Sequence, residues 1–168
     1  IICLISNLKE SPIVDETIRS RKNQIDSNVS LTISCGIIIE KDGKILLQRA
    51  AGETNWCIPC GTMKLGEKYQ EAAIRSVYEE TALTVETMQL FGMQSGRDCF
   101  VTSKNGEKGF NLQVIFHATE YSGKVKIKDD KNREHRFYPK TSLPKNLNPQ
   151  QKAFILDWKN NKEIPIIN

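Results

Sequence analysis

Long apolar runs are missing from this sequence. Near its start, Ile1 to Ile5 gives way at once to Ser6, Asn7 and charged residues. That stretch is too short for the core of an export signal and far too short to cross a bilayer, so the expected location is cytoplasmic. Repeats, low-complexity tracts and evident linkers are also missing, and the 168 residues read as one domain rather than two. Histidine is scarce. His117 and His135 stand far downstream of the cysteines, and Cys57 with Cys60 supplies too few ligands for a structural zinc site. The five cysteines are an odd number in a chain without a secretory signal, which argues against a disulfide framework. The one basic run, Lys124, Lys126 and Lys128, lacks interleaved aromatics and arginines. It reads as the solvated face of an edge strand, not as a nucleic-acid stripe.

What is present is an ordinary globular mixture, 39% hydrophobic and 26% charged, with a net charge of +4 that suits a polyanionic small ligand without naming one. Residues 1–28 read as an N-terminal arm or short helix, with Pro12 and the early acids Asp15 and Glu16 suited to a first helical turn. VSLTISCGIIIE (29–40), the turn Lys41-Asp42-Gly43 and KILLQRA (44–50) predict a β-hairpin. A loop to Gly66 precedes a helix expected from about Glu67 to Leu83. A strand follows at 85–95, a second hairpin is expected around NGEKG (105–109), and HRFYP (135–139) reads as a last short strand. NPQQKAFILDWKN (148–160) predicts a closing helix with Asn148 as N-cap and Pro149 in its first position; 161–168 remain as a tail. The class is α+β, with helices packed on a mainly antiparallel or mixed sheet.

One stretch, Asn55-Trp56-Cys57-Ile58-Pro59-Cys60-Gly61, is spelled like a redox dithiol. Such a motif belongs directly after a buried strand and at a helix N-terminus, whose dipole stabilises the thiolate. Here AGETN separates it from the preceding strand, and a glycine-containing loop separates it from the following helix. Dithiol chemistry is therefore a minor alternative.

The stronger pattern begins at Gly61 and reads GTMKLGEKYQEAAIRSVYEETAL through Leu83. On a helix, positions 76, 79 and 80 share roughly a 100° arc, so Glu79 and Glu80 project together while Glu67 enters from the loop. Clustered carboxylates suit hard cations such as Mg²⁺ or Mn²⁺. The competing account is a solvated acidic face with Glu71 and Arg75 as an i,i+4 pair.

The spacing resembles the signature box of the Nudix hydrolases, the MutT-like family: Gly61, Glu67, Arg75, Val77, Glu79, Glu80 and Leu83 fall in its register. Leu46-Leu47-Gln48-Arg49 before the box, and Trp56 with Pro59-Cys60-Gly61 at its entrance, agree with the same family, Cys60 standing where a glycine is usual. The resemblance spans about 29–160 and implies a single α/β/α sandwich around a mixed β-sheet. It implies metal-dependent hydrolysis of a diphosphate bond in a nucleoside diphosphate derivative, with a small nucleotide as the partner. Glu79, Glu80, Arg75 and Glu67 would be the catalytic set, and Gly61, Glu79 and Glu80 the metal ligands. A homodimer stays open.

Two positions depart from the pattern. Ser76 stands where the box has a glutamate, and Ala82 where it has a glycine that closes the helix. The first implies an alternative function, a weakened module that binds a nucleotide without cutting it efficiently. If position 82 is left-handed, alanine there costs about 1 kcal/mol. The resemblance also implies room for a further carboxylate from outside the box, for which Glu134, a candidate for touching the substrate, and Glu120 stand, with surface charge as the other role of each. Arg49 is a candidate for a phosphate, with a structural ion pair as its other role, and Phe100, Tyr121 and Phe137 are candidates for stacking a base, with core packing as theirs.

Overall fold

The structure, a computed structural model, describes residues 29–102, 105–125 and 133–168. The expected N-terminal arm lies outside the described residues, as do Lys126 and Lys128. Strands β1 (Val29–Lys41) and β2 (Lys44–Arg49) form the expected hairpin. Asp42 and Gly43 both take positive φ, 50° and 71°, as a tight turn between twisted strands requires. Strand β3 (Cys60–Thr62) leads to helix α1 (Tyr69–Thr81), followed by β4 (Thr84–Gln94), β5 (Phe100–Thr102), β6 (Lys108–Ser122), β7 (Glu134–Pro139), helix α2 (Lys152–Lys159) and β8 (Ile166–Ile167).

The strands form one mixed sheet in the order β7-β2-β1-β6-β4-β8, with β3 on β1 and β5 on β6. The pairs β1–β6 and β4–β8 are parallel and the rest antiparallel. Residues 161–168, expected as a tail, thus contribute a strand: Asn168 N–H donates to the Met93 carbonyl at 3.0 Å.

Alternation along β1 divides the core between the sheet's two faces. Ile37 and Ile39 join Leu46, Val114 and Phe116 beneath Ala72, Ala73 and Val77 of α1. Ile38 joins Ile45, Leu47, Ile115 and Phe91 beneath Phe154, Ile155 and Trp158 of α2. A helix on each face makes the α/β/α sandwich.

Both helices are shorter than their composition suggested. At the front of α1, Glu71 turns back to accept the Lys68 N–H at 3.0 Å, so the helix begins after Lys68. Its end is set by Ala82, left-handed at φ 61°, whose N–H donates to the Tyr78 carbonyl at 2.9 Å. Asn148 does not cap α2. Its side chain accepts the Gln150 N–H at 3.0 Å and its carbonyl the Gln151 N–H at 3.0 Å, closing a separate turn, and α2 starts at Lys152. An Asn-Pro pair initiates turns as readily as helices, and here the turn wins.

Candidate active site on the signature helix

The loop before α1 is tied down on two sides. Gln151, almost fully buried at the foot of α2, accepts the Ile58 N–H at 2.7 Å and donates its amide to Cys60 Sγ at 3.0 Å. Pro59 O accepts the Ile37 N–H and Ile33 O the Met63 N–H, at 3.2 and 2.8 Å, which puts Gly61 in a hydrogen-bonded position opposite Cys35. The Gly61 carbonyl keeps a second lone pair beyond that ladder. Glycine is required here by space: a Cβ at 61 would meet Ser76 Oγ at 2.5 Å.

Arg75 organises the first half of the site. Its Nε and Nη2 donate to the two Glu67 oxygens at 2.6 and 2.8 Å, Nη2 also reaches the Thr62 carbonyl at 3.0 Å, and Nη1 reaches Glu79 at 3.2 Å. The expected Glu71–Arg75 pair does not form, because Glu71 is committed to the helix start and Arg75 makes a two-pronged bond to Glu67 instead. These bonds, with the Lys64 N–H at 2.7 Å, hold the Glu67 carboxyl down to about 2.

Glu80 organises the second half. It faces inward and accepts three donors: Arg133 Nη1 at 2.9 Å, Gln48 Nε2 at 2.5 Å and the Cys60 N–H at 3.0 Å. Burial raises its pKa, and Arg133, Gln48 and Cys60 act against that rise without cancelling it. Gln48 Oε1 in turn faces His135 Nε2 at 3.2 Å. With the amide oriented so that Nε2 serves Glu80, His135 must donate from Nε2. Burial, then the Arg133 charge, lowers the His135 pKa, which favours the neutral ring.

Ser76, in contrast, offers nothing to a ligand. It is 2% exposed, packed against Gly61, and its hydroxyl donates to the Ala72 carbonyl at 2.7 Å. Glu79 and Glu80 therefore diverge: Glu79 is 55% exposed beside Arg75, and Glu80 points into the Gln48–Arg133 network. Among the described residues, no group of three or more His, Cys, Asp or Glu side chains is gathered tightly enough to hold a metal ion. The donor types, carboxylate and main-chain oxygens, are still those that a hard cation takes. Glu80 in particular is a desolvated carboxylate that already has a cation, Arg133, against it.

Of the residues expected to touch substrate, Arg49 and Glu134 are paired with each other across β2 and β7, at 2.6 Å, with the Arg49 guanidinium 4.9 Å from the Trp56 ring. Phe100 is 59% exposed and packs edge-on against Phe110 at 4.9 Å. Phe110 lies opposite Leu31, four positions along β1 from the Cys35 that pairs with Gly61. At roughly 3.3 Å per residue, Phe100 belongs to another end of the sheet. Glu120 accepts the Thr87 hydroxyl at 2.7 Å on an exposed edge, and Phe137 packs into the α1-side core. The dithiol has the wrong electrostatics for a nucleophile: burial, with Glu80 nearby, pushes Cys57 up to about 11 and Cys60 up to about 12.

Gln48, Arg133, His135 and Gln151 were not legible as site residues. Only Gln48 carried a signal, as an amide directly after the apolar run Ile45-Leu46-Leu47.

A model of the NUDIX domain matches residues 31–158. The chain belongs to the NUDIX family. This NUDIX domain is 32% identical over 128 residues to the ADP-ribose pyrophosphatase of Methanocaldococcus jannaschii, covering 73% of this chain and 72% of that protein. It is 28% identical over 127 residues to the 8-oxo-dGDP phosphatase NUDT18 of Mus musculus, covering 72% of this chain but 36% of the mouse protein. Among solved structures, the MutT protein of Bacillus halodurans superposes with a TM-score of 0.66 at 20% identity, covering 80% of this chain and 86% of that one. A MutT NUDIX hydrolase from Burkholderia pseudomallei gives 0.64 at 21% identity, covering 76% and 97%. At such identities the structural likenesses speak to the fold alone. No helix among the described residues is long and apolar enough to cross a membrane.

Proposed function

We propose that this NUDIX domain hydrolyses a diphosphate bond in a nucleoside diphosphate derivative, using Mg²⁺ or Mn²⁺ held by Glu79, Glu80 and the Gly61 carbonyl. The observation that carries the reading is Glu80, an inward-facing carboxylate at the end of the signature helix that is desolvated and matched by a cation. The relative named ADP-ribose pyrophosphatase supports a nucleoside diphosphate joined to another group as the substrate class. When bound, the divalent ion would neutralise the diphosphate and lower the pKa of a water. The protein's own part is positional. Arg75 holds Glu67 and Glu79 against β3, while Gln48 and the Cys60 N–H aim Glu80. Arg49, beside Glu134, supplies a guanidinium for a phosphate at the neighbouring edge.

A second reading, a module that binds a nucleotide and cuts it poorly, rests on Ser76. Its hydroxyl is neutral, buried and bonded to its own helix. Loss of a general base typically lowers rates about 10²–10⁴-fold.

A panel of nucleoside diphosphate derivatives, incubated with Mg²⁺ or Mn²⁺ and with chelator, separates the two. Metal-dependent turnover by the wild type that disappears in Glu80→Gln and rises about 10²–10⁴-fold in Ser76→Glu supports hydrolysis at this site. Turnover absent until Ser76→Glu is made, with nucleotide binding intact, supports the second reading. Turnover that ignores both substitutions sinks the site assignment.

A further inference from the structure

The Arg133 guanidinium lies 2.9 Å from Glu80, and both side chains are largely shielded, 22% and 13% exposed. The other two donors to Glu80, the Gln48 amide and the Cys60 N–H, are neutral. His135, two residues on, faces the Gln48 amide oxygen at 3.2 Å rather than the Glu80 carboxylate. Among the described residues, Arg133 is thus the one full positive charge paired with Glu80. A desolvated carboxylate without a counter-ion is costly, and so is a desolvated guanidinium without one. Arg133 holds Oε1 while Gln48 and Cys60 both hold Oε2, so each oxygen is already engaged, and a second full positive charge on this one shielded carboxylate would be strongly repelled by the guanidinium.

We propose that Arg133 is an internal competitor of the divalent cation: it occupies Glu80 in the resting protein and must leave for the metal to bind. This rests on the reading of Glu80 as a metal ligand. The exchange breaks one charge-assisted hydrogen bond between Arg133 and Glu80 and leaves the guanidinium free at the rim of the site. Arg133 suits this role by position. It stands just before β7, whose next residue, Glu134, is held in register opposite Arg49, so the backbone stays anchored while the side chain swings. The device keeps cation affinity low until a polyanionic ligand brings its own metal and gives the released guanidinium a new partner.

The test is Mn²⁺ binding, followed by calorimetry and by the EPR signal of free Mn²⁺, to the whole chain without nucleotide. Arg133→Met, similar in volume and uncharged, should bind Mn²⁺ at least about tenfold more tightly than wild type, the ratio that one charge-assisted hydrogen bond supplies. Arg133→Lys should stay near wild type, because it keeps the charge. In the wild type, which needs no substitution to fold, adding Mg²⁺ should speed solvent exchange of the Arg133 Nη protons in ¹⁵N-arginine spectra. Equal Mn²⁺ affinity in wild type and Arg133→Met, lost in Glu80→Gln, overturns the competition and leaves the metal site standing. Unchanged Arg133 exchange at saturating Mg²⁺ overturns it as well. If none of the folded proteins binds Mn²⁺, the competition and the metal-dependent reading fall together.

Discussion

Two arginine–glutamate contacts, one near each end of α1, use the same chemistry and reach opposite electrostatic results. Near the helix start, Arg75 grips Glu67 with two N–H groups while the Lys64 N–H adds a third, and the carboxyl is held down to about 2. At the helix end, Arg133 touches Glu80 once, and the remaining donors are neutral. There burial outweighs the bonds and the carboxyl is pushed up. The lesson is that the presence of an arginine does not set a carboxylate's state. The balance between desolvation and the number and geometry of donors does.

That comparison can be broken most severely at the buried end. Glu80→Ala should cost about 3 kcal/mol in urea unfolding, because it leaves the Gln48 amide and the Cys60 N–H without their shielded acceptor as well as removing the partner of Arg133; a loss no larger than that of Glu67→Ala would erase the distinction. The thiols beside Glu80 report the same desolvation. With pKa values raised from 9 to about 11 and about 12, native Cys57 and Cys60 should alkylate at neutral pH at least about 100-fold more slowly than in urea. Mass spectrometry of each site would read this, and rapid native labelling would revive the dithiol reading.

Ala82→Gly acts on the backbone just past Glu80 without touching the pair. Relief of the left-handed alanine should stabilise the fold by about 1 kcal/mol, measured as a shift in the urea midpoint at constant slope. The smallest effect is expected from Glu67→Gln, and it should depend on pH. A carboxyl held at about 2 in the fold and at its ordinary 4.5 when unfolded contributes stability that is complete above about 4.5 and disappears as pH falls through about 2. The stability gap between wild type and Glu67→Gln should therefore narrow steadily between pH 5 and pH 2. A gap that is constant over that range would mean that Arg75 does not shift Glu67.

Local chemistry was legible wherever a few adjacent residues decide the outcome. Asp42-Gly43 announced a turn that needs two positive φ angles, and the spacing from Gly61 to Leu83 announced the family. Ala82 takes the left-handed φ of 61° that the sequence reading raised only as a condition. Asn148-Pro149 misled because turn and helix share the same opening residues, and only the contacts of Gln151 with Ile58 and Cys60 place the real start of α2.

Contacts between distant residues belonged to the tertiary structure. Gln151 and Cys60 are 91 positions apart, and Arg49 and Glu134 are 85 apart. Arg133 and Glu80 meet because β7 pairs with β2 in a register that brings the segment just before it over the end of α1. The fold also decided that Arg75 would choose Glu67 and Glu79 over Glu71, and that Ser76 would lie buried beneath Gly61. The physical reason is the same throughout. Residue types and their spacing determine which groups share a helix face or a turn, but a group's charge state and partners depend on how much water is removed around it. Strand register and packing alone control that removal.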